Sequence, residues 1–227
     1  MKIFLYIILG IALVLIIGYK VASNKLIQHQ ESAYAEIQNM NVKESPRVFS
    51  DSLRMDDSKF WGLINHSKSK YPENFYQQIQ FLTDTLSRMT EEDIVGFECT
   101  FTEKVVKLWN YNVKSLYQII NGKYISTDDF IYFRCYLISL GKGEFDKALS
   151  NPETLTATID ASMWAGEEMM SVADNAYQKK NNKFDEENCP RCVCTEVNYD
   201  FGSYKMTGEY VSPSDFENKY PQLTERY

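Results

Sequence analysis

The stretch from Ser126 to Gly141 constrains the fold of this chain more than any other. It reads Ser-Thr-Asp-Asp-Phe-Ile-Tyr-Phe-Arg-Cys-Tyr-Leu-Ile-Ser-Leu-Gly. Ser126 and Asp129 have the spacing of a capping box at a helix start, and Gly141 is typical of the position just after a helix. Apolar residues occupy most of the circumference of this predicted helix, so we expect it to be central and buried.

An arginine, Arg134, lies in the middle of that apolar helix. A lone buried charge costs several kcal/mol, so its guanidinium must find a carboxylate or reach solvent. We predict a structural ion pair. The alternatives are a site that binds an anionic ligand and an arginine whose head group reaches water along an apolar stem. The candidate partners are Glu98, Asp129 and Glu168.

Two adjacent carboxylates, Asp128 and Asp129, begin the same helix. Acids in a first turn cap free amides and interact favourably with the helix dipole, which is the interpretation we favour. Paired carboxylates can also bind a cation or act in acid–base chemistry. With Glu98, Arg134 and Glu168 they make up the candidate polar cluster.

No complete set of catalytic residues accompanies this cluster. The chain has 2 histidines, His29 and His66, and it contains no Gly-rich phosphate loop, Gly-x-Ser-x-Gly elbow or His-Glu-x-x-His motif. We therefore predict no catalytic residue.

Helical periodicity dominates residues 56–180, and no alternating strand pattern of any length occurs before residue 190. The sequence predicts an all-α fold, a compact multi-helix, bundle-like domain. We expect Trp61, Trp109 and Trp164 in its core, since they occupy apolar helical positions. Pro72 is predicted to open one helix, and Thr90 to cap the next.

The N-terminus has the pattern of a membrane segment. Ile3 to Tyr19 is free of charged residues and is flanked by Lys2 and Lys20. As a helix it spans roughly 26 Å, close to the ~30 Å hydrocarbon layer. We predict an uncleaved transmembrane anchor over residues 1–22, with the lipid bilayer as partner of residues 3–19. A signal peptide and a buried core helix are the alternatives.

The flanks of the helical domain are predicted to be polar. Residues 23–55 form a juxtamembrane spacer, and residues 181–227 form an acidic, irregular tail whose Tyr- and Gly-containing stretch fits a short hairpin. The positive-inside rule does not decide the orientation, because basic residues flank the apolar run on both sides. We favour a single-pass protein at the cell membrane with its domain in the cytoplasm.

Net charge excludes one class of partner. The formal net charge is −7, whereas a nucleic-acid-binding protein needs a basic face. We therefore expect a protein partner and no nucleic acid.

The tail contains a cysteine cluster, Cys189, Cys192 and Cys194. Its Cys-Pro-Arg-Cys run resembles one knuckle of a zinc ribbon, and Cys194 offers a third thiolate. A ribbon needs a second knuckle, however, and no cysteine or histidine follows Cys194. The zinc site thus remains one option beside a disulfide within the cluster, which requires an oxidising compartment, and free thiols.

Several separated blocks of the chain resemble the bacterial domain of unknown function 4240 family. The blocks are Phe60-Trp61-Gly62-Leu63-Ile64, Met89-Thr90-Glu91-Glu92-Asp93-Ile94 with Phe97-Glu98, Asp128 to Arg134 with Leu137-Ile138 and Gly141, Phe145, Ala148-Leu149, Asn151-Pro152-Glu153 and Leu155, and Glu168, Val172-Ala173 and Tyr177. The resemblance covers about residues 56–180, with a C-terminal echo at Pro221-Gln222-Leu223. It implies a helical domain and brings no established catalytic residues. Cys135, Thr224 and the predicted anchor depart from the family pattern.

The expected function is that of a non-catalytic, membrane-anchored protein-interaction module. It would bind another protein through the groove beside the Asp128–Arg134 helix or through the acidic tail. The alternative is a small hydrolase or ligand-binding enzyme that uses Glu98, Asp128, Asp129 and Arg134. A zinc-dependent adaptor is a third option, which depends on the cysteines alone.

Overall fold

The structure of the protein is a computed structural model that describes residues 2–39, 49–50, 52–122, 125–183, 189–194, 197 and 203–227. The chain divides into two compact units, Met1–Val42 and Lys43–Tyr227.

The first unit is formed by helix α1 (Lys2–Asn39). Its side chains at Val14, Leu15, Ile16 and Ile17 are each more than half exposed. Among the described residues, no helix is both long and apolar enough to cross a membrane. The predicted transmembrane anchor is therefore not confirmed; the side chains of residues 3–13, which carry most of the apolar run, lie outside the described part. The predicted spacer begins within this helix, and residues 40–48 of the spacer are also outside the description.

The described part of the second unit is built from helices joined by loops and turns, which confirms the all-α prediction. Its helices are α2 (Asp57–Lys70), α3 (Phe75–Leu86), α4 (Glu91–Lys107), α5 (Tyr111–Ile120), α6 (Thr127–Ser139), α7 (Lys142–Ser150), α8 (Glu167–Met170), α9 (Val172–Asn181), α10 (Pro190–Val193), α11 (Phe216–Lys219) and α12 (Pro221–Arg226). Short 3₁₀ segments cover Pro152–Thr154, Ala161–Ala165 and Pro213–Asp215. The described residues contain no β-strand, and the predicted hairpin is not found among them; residues 195–196 and 198–202 lie outside the description.

Helix starts follow the local sequence signals. The Asp56 carboxylate accepts a hydrogen bond from the backbone N–H of Ser58 at 2.9 Å. The Thr90 hydroxyl accepts one from the N–H of Asp93 at 3.1 Å. Each of these side chains satisfies an amide that the helix itself leaves unpaired. The predicted cap at Thr90 is thereby confirmed.

One predicted helix start is displaced. Pro72 was expected in the first turn of a helix, but α3 begins at Phe75 with Asn74 as its N-cap. The Asn74 side chain accepts a hydrogen bond from the N–H of Gln77 at 3.0 Å. Asparagine is among the strongest N-cap residues, and it fixes the start here after a turn that contains Pro72.

Helix α6 occupies the position that its sequence predicts. Ser126 caps it by accepting a hydrogen bond from the N–H of Asp129 at 3.4 Å. The helix ends at Ser139, and Gly141 follows with φ +98°, a backbone conformation that favours glycine. Phe130 and Phe133 on α6 are fully buried. The helix packs against α2, α4, α5, α7, α8 and the 3₁₀ segment Ala161–Ala165.

Glycine allows an unusually close approach to α6. A Cβ added at Gly166, between the 3₁₀ segment Ala161–Ala165 and α8, would lie 1.9 Å from the backbone oxygen of Tyr132. No side chain fits in that space. The segment that follows residue 160 is therefore held directly against the backbone of α6.

The C-terminal residues contribute to the core of the second unit. Phe216, Tyr220 and Leu223 are buried. The indole N–H of Trp109 donates to the carbonyl oxygen of Tyr204 at 2.8 Å. Residues 203–227, which belong to the predicted tail, thus pack with the helices that precede them.

Candidate functional site

Arg134 is held inside the protein, with a side chain that is only 1% exposed. Its Nη1 donates to the carbonyl oxygen of Val105 on α4 at 3.1 Å, and its Nε donates to the carbonyl oxygen of Phe130 at 3.4 Å. Its guanidinium carbon lies 5.3 Å from the ring centroids of Trp109 and of Phe130.

The described contacts of Arg134 are with carbonyl oxygens and aromatic rings. The ion pair with Glu98, Asp129 or Glu168 stays a prediction. A guanidinium is weakly hydrated and planar, so it can be buried between aromatic faces while its N–H groups meet carbonyl oxygens. Arg134 therefore joins α6 to the C-terminal turn of α4. The geometry favours a structural role for this arginine.

Glu98 on α4 is also buried, with 1% of its surface exposed. Burial raises the pKa of its carboxyl to about 8, and the charge of Asp174 acts in the same direction; Arg191 and a hydrogen bond with Thr102 act against it. The carboxyl is thus largely protonated at neutral pH, because the interior disfavours its charged form. It lies near the segment that carries Arg191.

The remaining members of the predicted cluster lie at the surface. Asp128 and Glu168 are exposed, and Asp129 is partly exposed. The predicted cluster is therefore divided between the interior, with Glu98 and Arg134, and the surface. It does not form one continuous polar site.

An acidic–aromatic face is present beside α6. We give this name to Asp128, Asp129, Tyr132, Trp164 and Glu167. Slight burial raises the pKa of the Tyr132 hydroxyl, and so do the nearby carboxylates of Glu167, Asp128 and Asp129. The carboxylates of Glu167, Asp128 and Asp129 thus lie near one phenol.

Trp164 belongs to this face and corrects another expectation. Its side chain was predicted in the core, but it is 43% exposed. Its ring centroid lies 6.4 Å from that of the buried Tyr117. Trp61 and Trp109 are buried as predicted. The helical spacing of apolar residues thus predicted the burial of Trp61 and Trp109 correctly. Residues 161–165 form a 3₁₀ segment rather than an α-helix, and Trp164 is exposed there.

The cysteines form two disulfides. Cys99 on α4 is bonded to Cys194, with 5.3 Å between their Cα atoms, and Cys189 is bonded to Cys192, with 5.1 Å between theirs. Cys135 is a buried free thiol, and burial raises its pKa to about 12.

These bonds bear on the zinc prediction. A cysteine binds zinc as a thiolate, and the sulfurs of Cys189, Cys192 and Cys194 are engaged in disulfides. Within the described residues, no group of three or more His, Cys, Asp or Glu side chains could hold a metal ion. A zinc site in the reduced chain stays a prediction.

Two features of this region have no strong local signal in the sequence. Cys99 is 95 residues away from its partner, and nothing in the sequence around it marks that pairing. Arg191 pairs with Asp174, with 3.4 Å between Nε and the carboxylate. Its position between two cysteines was visible, but the carboxylate it meets is on another helix.

A cleft of about 450 Å³ lies elsewhere on the second unit, and its lining includes Lys68, Tyr136 and Asp160. The Lys68 ammonium donates to the carbonyl oxygen of Pro72 at 2.8 Å. Burial lowers the pKa of Lys68, and the charge of Asp160 partly opposes this effect. None of the five residues of the predicted cluster lines this cleft.

Part of the chain is similar to a known protein family. The model of a family described as "Protein of unknown function (DUF4240)" matches residues 55–179. The matched region runs from the start of α2 almost to the end of α9 and stops before the cysteine-bearing segment. No curated protein matches the chain, and no solved structure does.

Proposed function

The chain belongs to the DUF4240 family, and on this premise we propose that its helical domain is a non-catalytic module that binds another protein. The acidic–aromatic face beside α6 is the proposed binding surface, and a basic segment of the partner is the proposed ligand. The observation that carries the proposal is Trp164, a large aromatic side chain that is 43% exposed. It lies on the 3₁₀ segment that packs against α6, the helix whose Tyr132 lies near three carboxylates.

The chemistry of the face supports a protein partner. Tryptophan and tyrosine are enriched among the residues that dominate binding energy, because each buries a large area at a small entropic cost. Asp128, Asp129 and Glu167 add a local negative field, which speeds association with a basic partner and excludes acidic ones. The net charge of −7 acts in the same direction over longer distances.

The arrangement of the predicted cluster also supports binding over catalysis. The proposed enzyme alternative needs Glu98, Asp128, Asp129 and Arg134 to act on one substrate. Glu98 and Arg134 are buried, whereas Asp128 is exposed. A general acid or base must reach the proton that it transfers, at about 3 Å or through one water.

The experiment compares two full-length variants with equal changes in charge. The first carries Asp128→Asn, Asp129→Asn and Glu167→Gln in the face. The matched control carries three exposed acids changed elsewhere, Glu73→Gln, Glu217→Gln and Glu225→Gln.

Proteins that co-purify with each variant from cells are measured by quantitative mass spectrometry. We expect a partner with a basic segment whose recovery falls about tenfold or more with the first variant, which corresponds to about 1.4 kcal/mol. The control should retain it. Equal recovery with both variants contradicts the proposal.

We also propose a lipid bilayer as the partner of residues 3–19. The apolar side chains from Val14 to Ile17 are more than half exposed, and exposed apolar surface costs about 25 cal/mol per Å² until it is covered. The test is flotation of the full-length protein with phospholipid vesicles. Leu15→Glu with Ile16→Glu should abolish flotation, and retention of flotation would contradict this partner.

The location proposed for the second unit differs from the cytoplasm expected from the sequence. The structure contains two disulfides, and disulfides persist mainly in oxidising compartments. We therefore propose that the second unit faces such a compartment. Labelling of intact cells with an impermeant thiol reagent after mild reduction tests this location, because a cytoplasmic unit would remain unlabelled.

A further inference from the structure

The cysteine-bearing segment of residues 189–194 is fixed to the helical unit at several points. The disulfide to Cys99 attaches Cys194 to α4. The backbone N–H of Arg191 donates to the carboxylate of Asp174 at 3.2 Å, and its guanidinium donates to the carbonyl oxygen of Met170. Helix α10 packs against α4 and α9. The pair Cys189 and Cys192 is therefore presented on a fixed frame.

The two disulfides differ in their access to solvent. Cys99 is fully buried and Cys194 is 4% exposed. In the other bond, Cys189 is buried, but Cys192 is partly exposed. A thiolate from another molecule must approach the sulfur that it attacks. Of the four bonded cysteines, Cys192 is the most exposed residue.

We propose that Cys189 and Cys192 form a thiol–disulfide exchange site that takes a dithiol of a partner protein as its substrate. The first thiolate of the substrate attacks Sγ of Cys192. The bond between Cys189 and Cys192 breaks, and its electron pair leaves with Cys189 as a thiolate. The second substrate thiolate then attacks the mixed disulfide and releases Cys192. One substrate dithiol is oxidised to a disulfide, and one disulfide of this protein is reduced to two thiols.

Local hydrogen bonding favours Cys189 as the leaving group. The backbone N–H of Cys192 donates to Sγ of Cys189 at 3.2 Å. A hydrogen bond to the developing charge stabilises a thiolate, and cysteines in Cys-x-x-Cys motifs commonly have lowered pKa values for this kind of reason. A better leaving group makes attack at its partner sulfur faster. The direction of attack therefore agrees with the exposure of Cys192.

The disulfide between Cys99 and Cys194 is shielded from solvent. Sγ of Cys194 lies 3.6 Å from the carbonyl oxygen of Val95 on α4, and neither sulfur is open to attack. We assign this second disulfide the task of holding the exchange site in place. The inference does not depend on the acidic–aromatic face, which is built from other residues.

The test measures which disulfide exchanges when the full-length oxidised protein is treated with reduced glutathione or with a synthetic peptide dithiol. Cysteines are alkylated at successive times and quantified by mass spectrometry. We expect the disulfide between Cys189 and Cys192 to be reduced at least ~10-fold faster than the disulfide between Cys99 and Cys194. With the peptide dithiol, one peptide disulfide should form for each pair reduced. Equal rates, or faster loss of the Cys99 bond, would overturn the proposal.

Two variants locate the attacked sulfur. Cys189→Ser leaves Cys192 free, and it should accumulate a mixed disulfide with glutathione when oxidised glutathione is supplied. Cys192→Ser leaves the buried Cys189, which should react at least ~10-fold more slowly. Cys135→Ser is the matched control and should leave the exchange rate of the pair unchanged. Preferential reaction at Cys189 would contradict the assigned direction, and the thermal midpoint of each variant confirms that it is folded.

Discussion

Replacing Arg134 with methionine tests whether the buried guanidinium holds α6 in place. Methionine keeps an unbranched apolar stem but removes the donors that meet the carbonyl oxygens of Val105 and Phe130. A hydrogen bond from a charged donor contributes about 1.5–3 kcal/mol, and a buried carbonyl left unpaired costs about 1–3 kcal/mol. The cost of burying the charge is removed at the same time. We expect Arg134→Met to lower the free energy of unfolding by about 2–4 kcal/mol.

The assay is urea unfolding of the full-length protein, followed by far-UV circular dichroism. Arg226→Met is the matched control, because Nη1 of Arg226 also donates to a carbonyl oxygen, that of Leu155 at 3.1 Å, but from an exposed side chain. It should change the free energy of unfolding by less than about 0.5 kcal/mol. An Arg134→Met protein as stable as the wild type would refute the structural role. A stable variant that had lost a ligand would instead indicate a binding site.

Three further predictions test other parts of the structure. Gly166→Ala should lower the midpoint of thermal unfolding sharply, because the new Cβ would lie 1.9 Å from the backbone oxygen of Tyr132. Gly62→Ala is the control: this helical glycine has open space around it, so the change should raise the free energy of unfolding by about 0.5–1 kcal/mol. Similar effects at both sites would contradict the close packing at Gly166. Replacing Cys99 and Cys194 together with serine should lower the free energy of unfolding in urea by about 4–5 kcal/mol. This is the chain-entropy value for a closed loop of 95 residues. An unchanged free energy of unfolding would exclude the disulfide. Glu98→Gln should flatten the pH dependence of stability. The Glu98 carboxyl has a pKa of about 8 in the folded protein, against an ordinary pKa of 4.5. Its contribution to the free energy of unfolding is therefore complete below the ordinary pKa and is lost as the pH rises towards the folded-state pKa. Variant and wild type should therefore diverge as pH rises, and equal pH profiles would refute the burial of Glu98.

Local signals in the sequence predicted the helices well. Capping depends on residues within one turn, so Ser126 and Thr90 could be assigned to helix starts from their neighbours alone. The buried character of α6 followed from its apolar circumference for the same reason. Pro72 shows the limit of such signals, since α3 begins three residues after it, at Phe75, where Asn74 is the better cap.

The contacts of the candidate site depend on residues that are far apart in the chain. The sequence indicates that a buried arginine needs polar or aromatic partners, but it does not identify them. Val105 and Trp109 contact Arg134 only because α4 packs on α6. The exposure of Trp164 depends on a 3₁₀ segment that periodicity treats as helix. The Cys99 disulfide closes a separation of 95 residues. Such features follow from tertiary packing, which the spacing of residue types along one chain does not determine.

Photo-crosslinking from position 164 tests the proposed function most directly. A benzophenone-bearing residue replaces Trp164 in the full-length protein in cells, and the control places it at Tyr76, an aromatic residue on α3 that is 63% exposed. We predict a discrete adduct at position 164 that contains a basic segment of another protein, weakened when Asp128, Asp129 and Glu167 are neutralised. Adducts that form equally at both positions, or only at position 76, would contradict the assignment of the acidic–aromatic face as a binding surface.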